Sequence, residues 1–444
     1  MDTPIYDFVK EYLEKGTVRL HMPGHKGSPL LGCEALDITE IKGADDLYHA
    51  QGIIRQSENN ATRLFGTKRT FYATGGSSQC IGAMVYLAML RGKKGQPILA
   101  ARNAHKAFLH TCALLDLEVV WIYPEEEASL CSCPILTQQL ESILKSMEVL
   151  PFALYITSPD YLGGMADIKG LSEVCRKYGI PLLVDNAHGA YLRFLPESLH
   201  PMDLGADMCC DSAHKTLPIL TGGAYLHIGR DALPFEKDGK NALALFGSTS
   251  PSYLTLQSLD LCNEVLAEGY RGKMHGVCEK VKQLAVQLRE KGYFLQNYEP
   301  LKIVLEGAKM GITGYDLAKF LRESGIEPEF ADADHLVMMF STENGEEDFK
   351  RIENALPPMI AKSTEGGRTT LPFRGEQVMS IREAMFARRC TVKVEQALGR
   401  ICATPAVSCP PAIPIAISGE RITEEMIRLF FLYGIEEIDV VVEL

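Results

Sequence analysis

Between about residues 70 and 230, short and almost uninterrupted apolar runs alternate with segments of helical period, and this alternation constrains the fold more than any other feature of the chain. The runs QPILAAR (96–102), LEVVWIYP (117–124), FALYITSP (152–159), IPLLVDN (180–186), DMCCDS (207–212) and GAYLHIG (223–229) read as buried strands, and an aromatic-rich strand precedes the stretch ATGGSSQC (73–80). Between them, SSQCIGAMVYLAMLRG (77–92) and DIKGLSEVCRKYG (167–179) place apolar residues at helical spacing. A strand with no alternating polar positions must be covered on both faces. The pattern therefore predicts an α/β domain, a mostly parallel sheet with helices on either side. Ligands of such sheets sit beyond the carboxyl ends of the strands, so the residues found there are the candidates for chemistry.

The remainder reads more coarsely. Residues 253–292 are helical and suit a connecting helix pair, and a smaller α/β unit follows, with strands LKIVLEG and HLVMMFST around the helix TGYDLAKFLRESG. The tail holds one more helix, SIREAMFAR, and the proline-rich run SCPPAIPIAISGERIT. The expected organisation is an N-terminal segment (1–50) packing on a large domain (51–255), connecting helices (256–292), a small α/β domain (293–370) and a C-terminal region (371–444). No run approaches the ~18–20 apolar residues that span a bilayer. The first sixteen residues, MDTPIYDFVKEYLEKG, are acidic and amphipathic and do not read as a secretory signal. A net charge of −12 argues against a general nucleic-acid binder and suits a cationic ligand. The 13 cysteines include no pair of Cys-x-x-Cys units, which speaks for reduced thiols in a cytosolic core and against a zinc site or a disulfide framework.

Four strand ends carry suggestive groups. In ATGGSSQC, Gly75 and Gly76 permit close backbone approach, and Ser77 and Ser78 place hydroxyls at a helix N-terminus; the stretch reads as a helix cap or as a phosphate cup. His105, in ARNAHKAF, is either a satisfied structural histidine or a ring that stacks on a flat ligand. Asp185, followed by Asn186 and His188, either caps its loop or pairs with a protonated heterocyclic nitrogen. Ser212, His214 and Lys215 end the next strand, where a desolvated lysine would lose part of its basicity and could form a Schiff base. Taken together, a phosphate cup, a stacking ring, a carboxylate for a ring nitrogen and an amine for an aldehyde describe one ligand, pyridoxal 5′-phosphate (PLP). Two other His-Lys pairs exist. Lys26 precedes the sheet and Lys106 adjoins the stacking candidate, so Lys215 is the residue expected to bond the cofactor.

At these residues the sequence resembles the Orn/Lys/Arg decarboxylases of PLP fold type I, the aspartate aminotransferase-like fold. The resemblance runs through LHMPGHKGS (20–28), GADDLYHAQGII (43–54), SPDYLGGMADIKGL, VDNAHGAYLRF, DSAHKTLPILTGGAYLHI, GSTSPSYLTLQSLD (247–260) and PPAIPIAISGE (410–420), and it is closest to the compact form without a receiver-like domain. It implies a seven-stranded large-domain sheet. It also implies PLP-dependent decarboxylation of arginine, lysine or ornithine through an external aldimine and a quinonoid, in a cytoplasmic homodimer serving polyamine biosynthesis. By motif, Lys215, Asp185 and His105 take the catalytic roles. The cofactor would be held by Gly76, Ser77, Ser78, His105, Asp185, His188, Ser212, His214 and Lys215, with Ser248 or Thr249 reaching the phosphate of the neighbouring subunit; no metal is implied. Three positions depart from the family pattern: Gly76 lacks a hydroxyl, Asn186 stands where Glu is frequent, and Cys409-Pro410-Pro411-Ala412 replaces Tyr-Pro-Pro-Gly. Glu420 is a candidate for the substrate's distal cation. An aminotransferase or lyase would use Arg374 or Arg382 on the α-carboxylate, and a catalytically silent PLP-binding regulator would fit the same cofactor set.

Overall fold

The computed structural model describes residues 1–125, 128–359, 374–406 and 411–442. Seven strands form the main sheet: β1 (Arg69–Ala73), β2 (Ile98–Ala101), β3 (Val119–Ile122), β4 (Leu154–Thr157), β5 (Leu182–Asp185), β6 (Met208–Asp211) and β7 (Ala224–Ile228). The sheet is mostly parallel: β5 pairs parallel with β6, β2 pairs parallel with β3 and β4, and β7 runs antiparallel to β1 and β6. All six quoted runs and the aromatic-rich segment before them are strands, so the α/β reading holds. The chain divides into two compact units, Met1–Lys93 with Ile168–Met274, and Lys94–Asp167 with His275–Leu444.

The first unit contributes the strands in the order β1-β7-β6-β5. All four are buried throughout, as unbroken apolar runs require. The helix Gly76–Met89 packs on this part of the sheet with nine buried residues and almost no polar face, which is why its sequence shows so little amphipathic contrast. A second helix, Ile53–Phe65, stops at Gly66, which adopts a left-handed φ of 67°. The first helix, Pro4–Glu14, has proline in its first turn and no side-chain cap from Thr3. Its open amides are satisfied from far along the chain: Ile5 N–H and Tyr6 N–H donate to Asp260 Oδ2 at 2.8 and 3.0 Å. Asp260 also accepts from the Ser57 hydroxyl and lies in the helix Tyr253–Ala267.

The second unit contributes β4-β2-β3. Here one expectation needs correcting. Val119, Val120 and Trp121 are only half-buried, because β3 is the edge strand and has a neighbour on one side only. The smaller α/β part is a four-stranded antiparallel sheet in the order Phe330–Ala331, His335–Met339, Lys302–Glu306, Leu295–Gln296, with the helix Gly314–Glu323 against it. Lys302 is buried in this unit and pairs with Glu299 at 2.8 Å. The tail adds a strand pair absent from the sequence reading, Arg389–Lys393 antiparallel to Glu437–Val441. Among the described residues no helix is long and apolar enough to cross a membrane, and the twelve described cysteines are free.

Candidate active site

In the first unit the carboxyl ends of two neighbouring strands bring most of the candidates together. Strand β5 ends on Asp185, 2% exposed, whose Oδ1 accepts the Ala187 N–H at 3.2 Å and lies 3.7 Å from Cys210 Sγ on the paired strand. Strand β6 ends on Asp211. Ser212 follows, and then a single helical turn, Ala213–Thr216, that carries His214 and Lys215. Lys215 Nζ lies 3.1 Å from His188 Nε2. Lys215 is an exposed residue within this short helix.

The third component is the turn before the helix Gly76–Met89. Ser212 Oγ donates to Ser77 Oγ at 2.7 Å, joining that helix to the end of β6. Gly76 has φ 71°, and its N–H donates to Gly222 O at 2.8 Å. Gly222 is itself at φ 96°, and a Cβ there would stand 2.8 Å from the Thr74 carbonyl oxygen. Two glycine turns thus pack backbone against backbone. On the outer side a Cβ added to Gly76 would meet nothing within 4 Å, so the mouth in front of the helix is open. His214 Nδ1 donates to Gly223 O at 2.9 Å; burial holds this imidazole below its ordinary value, and that carbonyl offsets part of the effect. Ser78, Ser248 and Thr249 are exposed.

Beneath these groups lies a polar cluster that sequence reasoning missed. Asp211, fully buried, accepts from Asn186 Nδ2 at 2.7 Å, and its Oδ2 is 3.1 Å from both His200 Nε2 and His227 Nε2. Burial alone would push the Asp211 carboxyl up, but the two imidazoles hold it well below the usual carboxylate range. His200, Cys209, Asp211 and His227 offer donor atoms within 4.8 Å of one another, a set of metal-ligating types. Hydrogen bonds satisfy it as it stands: Met202 N–H donates to His200 Nδ1 at 3.4 Å, and His227 Nδ1 bonds Thr70 Oγ1 at 2.8 Å. Asn186, where the family pattern has Glu, thereby finds its carboxylate on the next strand, at Asp211. The signal was in the sequence, since an aspartate ending an apolar strand needs buried partners, but nothing local names them.

Other candidates lie in the second unit. His105 caps the helix Lys106–Leu115, its Nδ1 accepting the Ala107 N–H at 3.1 Å. Arg382 donates to the carbonyls of Ala113 and Leu114 at 2.8 and 3.2 Å, and Arg374 lies over the Tyr123 ring. Glu420 is 1% exposed, accepts the Ile417 N–H at 2.8 Å and stands 3.8 Å from Arg102, whose guanidinium also binds the carbonyls of Pro414 and Ile415. These bonds pin the segment after Pro411 in place, and they leave Glu420 committed to the protein. Cys409 and Pro410 lie outside the described residues.

A buried carboxylate, a lysine amine and paired hydroxyls at a helix N-terminus with open space before them are the donor set that PLP requires, and the residues fit it. Models of the family described as Orn/Lys/Arg decarboxylase match the chain twice, the major domain over residues 3–306 and the C-terminal domain over 375–440. An arginine decarboxylase of Bacillus subtilis (strain 168) is 30% identical over 97% of this chain and 93% of its own length. The constitutive lysine decarboxylase of Escherichia coli (strain K12) is 22% identical over 90% of this chain and 70% of its own. The crystal structure of the Francisella novicida lysine decarboxylase LdcF superposes with a TM-score of 0.80 at 17% identity, covering 99% of this chain and 81% of that one.

Proposed function

Since the chain belongs to the Orn/Lys/Arg decarboxylase family and is an amino-acid decarboxylase, we propose that it removes the α-carboxylate of a basic L-amino acid with PLP as cofactor. Arginine is the first substrate we assign, because the arginine decarboxylase relative is 30% identical and the lysine decarboxylase 22%. The observation that carries the cofactor reading is the meeting of Asp185, Ser212 and Lys215 at the ends of β5 and β6, with Ser77 bonded to Ser212 at 2.7 Å.

In this reading Asp185 would hold the pyridine nitrogen, Lys215 the aldehyde, and Gly76, Ser77, Ser78, Ser212 and His214 the phosphate, and His188 would flank the ring or the substrate. The family resemblance assigns His105 the stacking role and Ser248 or Thr249 a phosphate contact from the partner subunit of a homodimer. When bound, PLP supplies a sink for the electron pair released as CO₂ leaves. The chain's own groups do the rest. Burial keeps water from Asp185, so its charge is best satisfied by a cationic partner. Lys215, in hydrogen-bond reach of His188, can exchange a proton with that imidazole and return one to the substrate's α-carbon. Arg382 is engaged by two helix carbonyls, which disfavours its use as the α-carboxylate holder of an aminotransferase. The free described cysteines suit a reducing, cytoplasmic setting.

Purified protein with added PLP is expected to show a band near ~420 nm that Lys215→Ala abolishes, and to release CO₂ from arginine in preference to lysine or ornithine. A band without CO₂ from any of the three would turn the assignment toward the silent regulator or another reaction of the same cofactor. No band at all would remove PLP from the account.

A further inference from the structure

One buried side chain joins three segments around the glycine turn. Gln79, 3% exposed, lies in the first turns of the helix Gly76–Met89. Its Oε1 accepts the Gly75 N–H at 3.1 Å, and its Nε2 donates to Tyr48 Oη at 3.0 Å and to Leu243 O at 2.9 Å. Tyr48 Oη donates in turn to Ser248 O at 3.1 Å. The fit is close: a Cβ added to Gly247 would stand 2.1 Å from Tyr48 Oη and 2.2 Å from Gln79 Nε2. With the Gly75 N–H turned inward to Gln79 and the Gly76 N–H bonded to Gly222 O, the peptide planes of the turn are set. The first-turn amides that follow have no acceptor within the helix and are available to an anion.

We propose that Gln79 is a positioning residue for the phosphate end of the cofactor, locking the Gly75–Gly76 turn directly and holding the Gly247–Thr249 loop to it through Tyr48. The proposal rests on the PLP reading above. Neither residue touches the ligand; both act by fixing backbone that does. A side chain that merely packs the helix would affect every ligand of the site alike, whereas a side chain that orients the turn affects only ligands bearing a phosphate.

The test compares PLP with pyridoxal, which has the same ring and aldehyde without the phosphate, each titrated by its absorbance into wild type, Gln79→Ala and Tyr48→Phe. Gln79→Ala is expected to weaken PLP by ~10-fold or more, the equivalent of about one well-placed hydrogen bond, while pyridoxal affinity changes less than about twofold. Tyr48→Phe, which keeps the ring and should fold even if the first variant does not, is expected to lower the same ratio by a few-fold. Equal weakening of both ligands, or unchanged PLP affinity, overturns the proposal and leaves the cofactor reading intact. A wild type that binds neither ligand overturns the cofactor reading, and this proposal with it.

Discussion

Asp211 shows how much one residue can organise. Its carboxylate accepts from Asn186, His200 and His227 with no solvent access, and it immediately precedes Ser212. Asp211→Ala leaves three buried donors without their acceptor and is expected to cost about 3–5 kcal/mol of stability, read from urea unfolding. The cluster also predicts a pH dependence. Burial holds the His227 imidazole below its ordinary value, and Asp211 offsets only part of this. The unfolded imidazole takes its proton near pH ~6.5 and the folded one only at lower pH. In that window the unfolded state binds more protons, so stability falls as pH drops from about 7. Asp211, held low when folded, adds a loss of the same sign at still lower pH, below the unfolded value of about 3.9. Thermal melts between pH 8 and pH 5 should therefore fall with acid in the wild type and less steeply in His227→Gln; parallel slopes would remove His227 from the account. Asp185 and Lys215 were legible as positions, since Asp185 ends one apolar run and Lys215 follows the end of the next within four residues. The partners of Asp211 were not, because they come from positions 186, 200 and 227 and meet only when β5, β6 and β7 pair.

Among the elements, the helix Pro4–Glu14 is capped from a distance. Its first-turn amides use Asp260, 255 positions away in sequence, in place of a local side chain. Asp260→Ala is expected to cost about 1–2 kcal/mol and to raise amide exchange selectively across residues 5–12. Uniform exchange over the whole chain would show that the cap is not local to that helix. Gly222 makes a second case. At φ 96°, with the Thr74 carbonyl 2.8 Å from any added Cβ, Gly222→Ala must move the glycine turn, and about 2 kcal/mol or more of destabilisation should accompany weaker PLP binding. Unbroken apolar runs and the aromatic-rich segment located all seven strands of the main sheet. No such run marks Arg389–Lys393: only Cys390 and Val392 turn toward the core of the tail, half-buried, and the partner strand lies more than forty residues on.

At the scale of the molecule, large apolar side chains stand in water along one irregular segment: Val18, Leu20, Leu30 and Leu31 are each at least 79% exposed. The proposed homodimer would cover side chains of this kind. Sedimentation is expected to give twice the chain mass of 49.0 kDa for the wild type and a shift toward one chain for Leu20→Asp with Leu31→Asp. A wild type that sediments as a single chain would end the homodimer proposal.

Strand order along the chain, the glycine turns and the lysine, aspartate and serine at strand ends could be read from residues alone, because each depends on local spacing and on the rule that apolar runs are buried. The hydrogen-bonded setting of these groups could not. Asn186 bonding Asp211, Gln79 holding Gly75 and Tyr48, and Glu420 committed to Ile417 and Arg102 all join positions whose sequence separation carries no signal. A buried polar group must find a partner, but which partner it finds is decided only when packed strands and helices bring distant residues within about 3 Å.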